Sequence, residues 1–423
     1  KSETFLGVDK KVLYALLFFF FIIAAFWTLK PMRTSGVVKA FGTTYYPLFK
    51  QGLLVFLPMI LSIYYMLTCY FSRKNLVHFF ALFFIASNIA FWFLYHFAPS
   101  NYVKMAFFFY LDGYITIMVT VFFTYLNQIF DENEAGKVFG YIGSGGLLGG
   151  ILGSSVSGWA SVILEENILL VAALMLVPIF LLVRGLENLA NVKSMGEPTL
   201  CQSEKKESMA KIFTEGIQVV FKNKYMLAIA GVVCLYEIIS TNVDFVFNYM
   251  SEQAFATSVE MGAYQGKVFF TAQIVALFVM LVMTPIIHRK CGIVSGLLFL
   301  PGVILVGSIL FLPFSTLIVA TFLIGGEAAT AYSINQISKE ILYIPLDNIS
   351  KVKGKAFIDM FLMRGSKAIG ATILMFFTFY LQTIGFSVDF LLWINIILSI
   401  LWFYSIYVIY VCYKDLSNCS LNN

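Results

Sequence analysis

Two pairs of basic residues stand inside long apolar stretches of the sequence. Lys30 and Arg33 follow an uninterrupted apolar run near the N-terminus, and Arg364 and Lys367 lie seven and ten residues past Phe357 in another run. In each pair the two residues are three positions apart, which places them on one face of a helix. A charge at the centre of a bilayer costs at least about 2.5–3.5 kcal/mol, so each cation needs a reason to be there. Because a planar guanidinium suits phosphate or carboxylate, the four cations predict a site for an anion with more than one negative charge.

The expected depth of the two pairs leaves different alternatives open. At 1.5 Å per residue, Arg364 and Lys367 lie about 10–15 Å inside the membrane, where reaching the headgroups is difficult. A role facing a cavity is therefore favoured for them. Lys30 and Arg33 either end the first helix and extend to the headgroups, or have a functional role at membrane depth. Residues 34–49 argue against the first interpretation, because they are too apolar and aromatic for a solvated loop.

A stripe of polar residues follows one face of the seventh apolar stretch. Spacings of 4, 3 and 4 place its members on one side of a helix: Glu237, Thr241, Asp244 and Asn248. Such a stripe is typical of a helix that lines a water-filled cavity, and the alternative is a seam of hydrogen bonds between helices. Its carboxylates could pair with cations, bind a hydroxyl or amine of a ligand, or carry a proton.

Further candidates lie outside this stripe. Glu327 stands within the tenth apolar stretch, about 18 Å from its start. Asp359 is expected to offset part of the charge of the basic pair that follows it, or to pair with Lys355 one turn earlier. Lys137 and Tyr141 share a face at the start of the fifth stretch and are expected at the mouth of a cavity.

Glycines follow Tyr141 at three- and four-residue spacing. A phosphate-binding glycine loop needs a strand before it and a helix after it, and no strand is predicted here. Small residues at this spacing allow two membrane helices to approach closely, which is the favoured interpretation.

The composition identifies the elements that must position these residues. The chain has 423 residues, 60% hydrophobic and 12% charged, whereas a soluble domain of this length would carry about 100 charged residues. This excludes a water-soluble enzyme, and the long apolar runs exclude an outer-membrane barrel. Twelve windows of spanning length predict an all-α membrane protein, at about 11–29, 51–71, 76–97, 105–129, 138–163, 167–185, 225–250, 264–287, 292–313, 315–336, 357–383 and 386–412.

The polar stretch 187–224 divides the chain into a six-helix bundle at 1–186, a linker at 187–224 and a second six-helix bundle at 225–423. A weak internal repeat supports this division, since the glycine, lysine and phenylalanine of 136–139 recur at 354–357 before the fifth helix of each half. Two pseudo-repeated six-helix bundles are the architecture of major-facilitator transporters, which bind substrate between their halves.

The basic residues also predict the orientation. Twenty of the 28 Lys and Arg fall in the termini, the linker and alternate loops, whereas the loops at 98–103, 164–166, 314 and 384–385 contain none. Both termini are therefore expected in the cytoplasm, with the protein in a bacterial inner membrane. The lipid bilayer and a small anionic substrate are the expected partners. A monomer is the default for this architecture.

Several other classes of function are not expected. No basic tail or soluble domain predicts nucleic-acid binding. The six cysteines have no CxxC spacing and the three histidines are scattered, so no metal site or cofactor is predicted. No nucleophile–base pair is present at membrane depth, so the protein is not expected to be an enzyme.

Three stretches resemble the ATP/ADP translocases of intracellular bacteria and plastids and their bacterial relatives. These stretches are Leu29-Lys30-Pro31-Met32-Arg33, the junction from Asn127 to Phe139 with Glu134 and Lys137, and the segment from Ser338 to Lys367 that ends Arg364-Gly365-Ser366-Lys367. The resemblance extends weakly through nearly all the chain. It departs from the family at Thr34, where an acidic residue is common, and at Ala368 in an altered glycine turn.

The resemblance implies a major-facilitator-like fold of twelve helices and exchange of nucleotides across a membrane. It also implies functional basic residues in the first and eleventh helices, at Lys30 or Arg33 and at Lys367. Glu134 matches the family's junction glutamate, and Glu237 is a candidate for its seventh-helix carboxylate. Glu134, Glu237 and Asp359 are thus the candidates for coupling or gating.

The residues and the resemblance together predict a secondary transporter that moves a nucleotide or a similar phosphorylated anion by alternating access, through exchange. The alternative is a proton-coupled carrier of another organic anion or a metal–chelate compound. In that case Glu237, Asp244 or Glu327 would take up the proton.

Overall fold

The computed structural model describes the whole chain except residues 1–3, 6–7, 131, 191–208, 347–349 and 422–423. Side chains are described outside 1–9, 131–140, 190–213, 347–349, 351–352 and 415–423. Two short strands, Thr4–Phe5 and Val8–Asp9, pair antiparallel at the start, and the other described elements are helical.

Helices 1 to 6 occupy the first part of the chain. Their bounds are Lys10–Phe41 for helix 1, Tyr46–Tyr70 for helix 2 after a 3-10 turn at Thr43–Tyr45, Arg73–Phe97 for helix 3, Asn101–Ile129 for helix 4, Glu132–Ser155 with Val156–Ala160 and Ser161–Leu164 for helix 5, and Ile168–Leu176 with Pro178–Ala190 for helix 6.

A linker helix at Met209–Lys222 precedes helices 7 to 12. Their bounds are Lys224–Ala254 for helix 7, Ser258–Phe278 with Val279–Met283 and Thr284–Cys291 for helix 8, Ile293–Gly296 with Phe299–Phe311 for helix 9, Leu317–Thr330 with Ala331–Asn335 and Gln336–Leu342 for helix 10, Ser350–Gly354 through Phe377–Leu381 for helix 11, and Asp389–Leu421 for helix 12.

Eleven segments of the described chain are long and apolar enough to cross a membrane. One of them, Tyr141–Leu189, has 49 residues, and as a single helix it would be about 73 Å long, more than twice the thickness of the hydrocarbon core. The chain turns within this segment at the 3-10 element Glu165–Asn167, where Glu165 has φ 47°. The segment therefore contains helices 5 and 6, so the described residues include all twelve predicted membrane helices, and the predicted all-α membrane fold is confirmed.

Helix 1 is longer than its predicted window of 11–29. It continues through Pro31 to Phe41 and ends at Gly42, whose φ of 84° suits glycine and whose N–H donates to the Val38 carbonyl at 2.8 Å. Arg33 lies eight residues before this end, about 12 Å along the axis, and is buried. The interpretation in which this residue ends the helix and extends to the headgroups is therefore wrong.

Polar side chains begin several of the other helices. Ser72, Ser100 and Thr316 precede helices 3, 4 and 10, and each side-chain oxygen accepts a hydrogen bond from a backbone N–H three residues later, at 3.3–3.4 Å. These caps satisfy donors that have no partner within the first turn of a helix.

The glycines of helix 5 lie against the backbone of helix 1. A Cβ atom added at Gly149 would collide with the carbonyl oxygen of Phe20, and one added at Gly153 with that of Ala24. The two helices can approach this closely only because these positions have no side chain. The close-packing interpretation of the glycines is confirmed.

The chain forms two compact units. Unit 1 contains Lys1–Gly42, Gly52–Glu204 and Phe255–Phe270. Unit 2 contains Thr43–Gln51, Lys205–Ala254 and Thr271–Asn423. The sequence boundaries near 186 and 225 stay a prediction of domain organisation.

Aromatic rings fill much of the core of unit 1. Phe18 of helix 1 meets Phe122 of helix 4 edge-on with ring centroids 4.9 Å apart, and Phe84 meets Tyr114 in the same way at 4.9 Å. All four side chains are buried. Edge-to-face pairs of this kind add to the packing energy of the ring surfaces, so they stabilise the packing of helices 1 and 3 against helix 4.

Candidate substrate-binding residues of the two units

Arg33 in unit 1 is held in a buried ion pair. Its guanidinium is paired with Asp112 of helix 4, and the two side chains are 5% and 21% exposed. The guanidinium also lies over the ring of Phe108, 4.6 Å from its centroid. Asp112 and Phe108 are one turn apart, so a single face of helix 4 supplies both contacts. Arg33 therefore connects helix 1 to helix 4.

Lys30, one turn earlier on helix 1, is held by aromatic rings. Its ammonium lies 4.0 Å from the ring centroid of Trp27 and 4.5 Å from that of Phe269, and these two rings contact each other with centroids 5.1 Å apart. The side chain is half-buried. These cation–π contacts with two rings fix the position of the ammonium.

Lys367 in unit 2 pairs with Glu237. The distance between its Nζ and Oε2 of Glu237 is 3.5 Å, and the lysine side chain is 52% exposed whereas the glutamate is 7% exposed. Gly370 lets helix 11 approach helix 7, because a Cβ atom added there would lie 3.1 Å from Cβ of Thr241. The carboxylate is thus enclosed while the ammonium remains accessible.

Arg364 lies one turn before Lys367 and is exposed. Among the described side chains it pairs with no carboxylate. A π-helical turn, Ile358–Leu362, directly precedes its helical segment Met363–Phe376. Turns of this kind are frequent at functional sites, and no residue pattern in the sequence predicted this one.

Asp244 in helix 7 pairs with a lysine that the sequence analysis missed. Nζ of Lys50 lies 3.1 Å from Oδ2 of Asp244, and the Tyr46 hydroxyl donates to the same oxygen at 2.9 Å. Asn248 donates from Nδ2 to the backbone oxygen of Asp244 at 2.7 Å and to Oδ1 at 3.3 Å. Lys50 immediately precedes the second apolar window, so a search for charges inside apolar stretches did not select it.

Glu327 in helix 10 accepts hydrogen bonds from helix 7. The Tyr236 hydroxyl and Oγ of Ser240 donate to Oε1 of Glu327 at 3.0 and 2.9 Å, and the glutamate is 5% exposed. Within the polar stripe of helix 7, the Thr241 hydroxyl donates to the backbone oxygen of Glu237 at 2.7 Å. Helix 7 therefore pairs with cations through its stripe and joins helix 10 through residues beside the stripe. The water-filled cavity that the stripe was expected to line stays a prediction.

Asp359 has a different partner from either of those expected. Its Oδ1 lies 4.0 Å from Nζ of Lys339, whereas Lys355 pairs with Glu340. Lys355 also lies over the ring of Tyr343, 5.3 Å from the centroid. Burial raises the pKa of the Tyr343 hydroxyl, and the nearby carboxylates add to the effect. Asp359 thus contributes to a charged cluster where helices 10 and 11 meet their connecting loop.

Three candidates at the start of helix 5 differ in how far they are described. Tyr141 is 69% exposed. The side chains of Glu134 and Lys137 lie outside the described residues, although their backbone belongs to the helix Glu132–Ser155. Their roles remain sequence predictions.

A family model described as TLC ATP/ADP transporter matches residues 100–327 and 327–413. These matches cover well over half of the chain. The protein belongs to this family. The expected family membership is confirmed, and with its many apolar helices the chain is a multi-pass membrane protein.

Individual relatives are more distant. ADP,ATP carrier protein 1 of Chlamydia muridarum is 28% identical over 192 residues, which are 41% of this chain and 36% of that protein. The chain thus spans about a third of the length of this curated relative. ADP,ATP carrier protein 1 of Rickettsia conorii is 25% identical over 340 residues, which are 72% of this chain and 67% of that protein.

Solved structures share the fold. The nucleoside transporter NupG has a TM-score of 0.63 at 15% identity, covering 95% of this chain and 99% of its own. The peptide transporter POT, solved in complex with sulfate, has a TM-score of 0.64 at 11% identity and covers 95% of both chains. These are major-facilitator-type transporters, so the predicted fold class is confirmed.

Proposed function

We propose that this member of the TLC ATP/ADP transporter family exchanges nucleotides of the ATP/ADP type across a membrane by alternating access. Family membership over residues 100–413 is the observation that carries the proposal. The charges alone select a polyanion, because lysines and arginines lie at membrane depth in both units. Family membership supports a nucleotide with a chain of phosphates as this polyanion.

The accessible cations are the proposed phosphate ligands. Lys367 and Arg364 are exposed on one face of helix 11, and Lys30 presents its charge from an aromatic support on helix 1. Arg33 is proposed to position helix 1, because its guanidinium is already paired with Asp112. A hydrogen bond from a lysine or arginine to an ionised phosphate is stronger than a hydrogen bond between two neutral groups.

The acidic and polar residues are proposed to position these cations and the ligand. Glu237 aligns Lys367, and Asp244 and Asn248 form a second polar group on the same face of helix 7. Glu327 is proposed to act through the tyrosine and serine that it holds. Lys137 and Tyr141 are proposed substrate contacts, and Glu134 and Asp359 are proposed to take part in coupling or gating.

We further propose that the protein lies in a bacterial inner membrane with both termini in the cytoplasm. The distribution of Lys and Arg among the loops supports this orientation. An even number of spans also requires the two termini to be on the same side.

Exchange in proteoliposomes tests the proposed function. The purified full chain is reconstituted, and uptake of labelled ATP is measured with ADP, with phosphate or with no anion inside. Fast uptake only with internal ADP is the expected result. Uptake that needs no internal nucleotide but follows an imposed proton gradient would contradict exchange, and absence of any nucleotide flux would contradict the nucleotide as substrate.

Two matched lysine variants connect this assay to the site. Lys367→Gln removes a proposed phosphate ligand and is expected to abolish most of the exchange. Lys290→Gln removes an exposed lysine from the end of helix 8 and is expected to exchange at the rate of the unmodified protein. Equal exchange rates for the two variants would show that Lys367 is not a phosphate ligand.

A further inference from the structure

Two lysines of unit 2 are held by carboxylates on the same face of helix 7. Glu237 pairs with Lys367 at 3.5 Å, and Asp244 pairs with Lys50 at 3.1 Å. The two carboxylates are seven residues apart, which is two helical turns and about 10 Å along the axis. Helix 7 therefore holds two ammonium groups in one row, one presented by helix 11 and one by the start of helix 2.

Each carboxylate is held by burial or by further hydrogen bonds, whereas each lysine ends a flexible stem. Glu237 is 7% exposed, and Asp244 is held by the Tyr46 hydroxyl at 2.9 Å and by Asn248 at 3.3 Å. Lys367 and Lys50 are 52% and 28% exposed, and each has four rotatable bonds in its stem. An anion that approaches can therefore draw the ammonium groups away from their carboxylates while helix 7 stays in place.

We propose that Lys50 is a phosphate ligand together with Lys367, and that each ammonium moves from its carboxylate to a phosphate group when a nucleotide binds. This inference rests on the proposed function and extends it to the choice among nucleotides. A nucleoside triphosphate or diphosphate carries enough phosphate groups to engage both lysines. A monophosphate carries one group and engages one of them.

If the ammonium changes partners in this way, removing the carboxylate and removing the lysine of a pair should change nucleotide affinity in opposite directions. Asp244 competes with phosphate for Lys50, so removing its charge strengthens the attraction for phosphate. Removing Lys50 deletes one of the two phosphate contacts. An ion pair that serves only to hold helices together would give no change in nucleotide affinity for either variant, only lower stability.

Equilibrium binding of labelled ATP, ADP and AMP to the purified full chain tests this inference. Asp244→Asn keeps the size of the side chain and an oxygen that can accept from Tyr46, and it is expected to tighten ATP binding about threefold to tenfold. Lys50→Gln is expected to weaken ATP binding at least about tenfold and to leave AMP binding within about twofold. Lys290→Gln serves as the matched control and is expected to bind all three like the unmodified protein.

Lys50→Gln leaves the carboxylate of Asp244 without this cation and could fail to fold. The double variant Lys50→Gln/Asp244→Asn avoids this difficulty, because it removes both charges. Compared with Asp244→Asn alone, the double variant is expected to bind ATP at least about tenfold more weakly. Equal ATP affinity in these two variants would overturn the role of Lys50.

The result also distinguishes the two proposals. If the unmodified protein binds no nucleotide, the proposed function fails. If it binds ATP and ADP, and Asp244→Asn weakens binding or the double variant matches Asp244→Asn, only the role of the Lys50–Asp244 pair fails.

Discussion

Two ion pairs, Arg33–Asp112 in unit 1 and Lys367–Glu237 in unit 2, place their charges in opposite surroundings. In unit 1 the cation is enclosed, since Arg33 is 5% exposed and its partner Asp112 is 21% exposed. In unit 2 the carboxylate is enclosed, since Glu237 is 7% exposed and Lys367 is 52% exposed. The two pairs therefore differ in which member is enclosed, and only the Lys367 pair leaves its cation accessible.

The physical reason lies in the cost of removing a charge from water. A buried pair repays this cost only when both members stay together, so Arg33 and Asp112 cannot part without a large loss. A half-exposed cation has a smaller desolvation cost, because water still contacts it. Exchanging its carboxylate partner for a phosphate therefore changes the free energy little. The following variants test this difference, from the largest expected effect to the smallest.

Arg33→Met is expected to be the most destabilising change. It leaves Asp112 in a mostly buried place without its cation, which costs about 3–5 kcal/mol when a buried pair is broken on one side. Thermal unfolding in detergent measures the loss. The double variant Arg33→Met/Asp112→Leu is the control and is expected to recover most of it, whereas a single variant as stable as the unmodified protein would contradict a structural role for the pair.

Lys367→Gln is expected to damage transport more than stability. Losing one charged contact to phosphate costs about 1.5–3 kcal/mol, which corresponds to about a 10- to 150-fold loss of affinity. Rates of ATP/ADP exchange, with thermal unfolding of the same preparations, measure the two effects. A large drop in unfolding temperature with normal exchange would show that Lys367, like Arg33, serves to join helices.

Gly153→Ala tests whether helix 1 is clamped in unit 1. The added Cβ would meet backbone atoms of helix 1, which cannot move independently, so about 1–3 kcal/mol of stability is expected to be lost. Gly143→Ala, in the same helix, meets nothing within 4 Å and is expected to be neutral or stabilising by up to about 1 kcal/mol. Thermal unfolding compares the two, and equal stabilities would contradict the close packing.

Lys30→Gln is expected to have the smallest effect on stability. Its cation–π contacts with Trp27 and Phe269 are worth about 0.5–2 kcal/mol. The unfolding temperature should fall slightly and should recover in Lys30→Arg, because a guanidinium can also lie over these rings. An unfolding temperature in Lys30→Arg as low as that of Lys30→Gln would indicate that the ammonium itself is needed.

The sequence predicted the helices better than the partners of their charges. Long apolar runs fix the number and approximate place of the helices, because each must cross the hydrocarbon core. The extent of helix 1 was missed because its charges ended the apolar window, although the helix continues past them. The pair between Arg33 and Asp112 joins residues 79 positions apart, so no local pattern could reveal it.

Lys50 shows a different limit. It stands one residue before the predicted start of the second window, where a charge is read as the end of a loop. Only the fold brings it to Asp244, and the exposure that distinguishes the two kinds of ion pair is a property of packing. The sequence could therefore identify charged residues in apolar stretches but could not separate those that are enclosed from those that are exposed.

The most direct test is the rate of ATP/ADP exchange in two variants measured side by side, Arg33→Met/Asp112→Leu and Lys367→Gln, each scaled to the amount of folded protein. The account predicts that the double variant exchanges within a few-fold of the unmodified protein and that Lys367→Gln loses most of its exchange. Normal exchange in Lys367→Gln together with lost exchange in a stable double variant would contradict it.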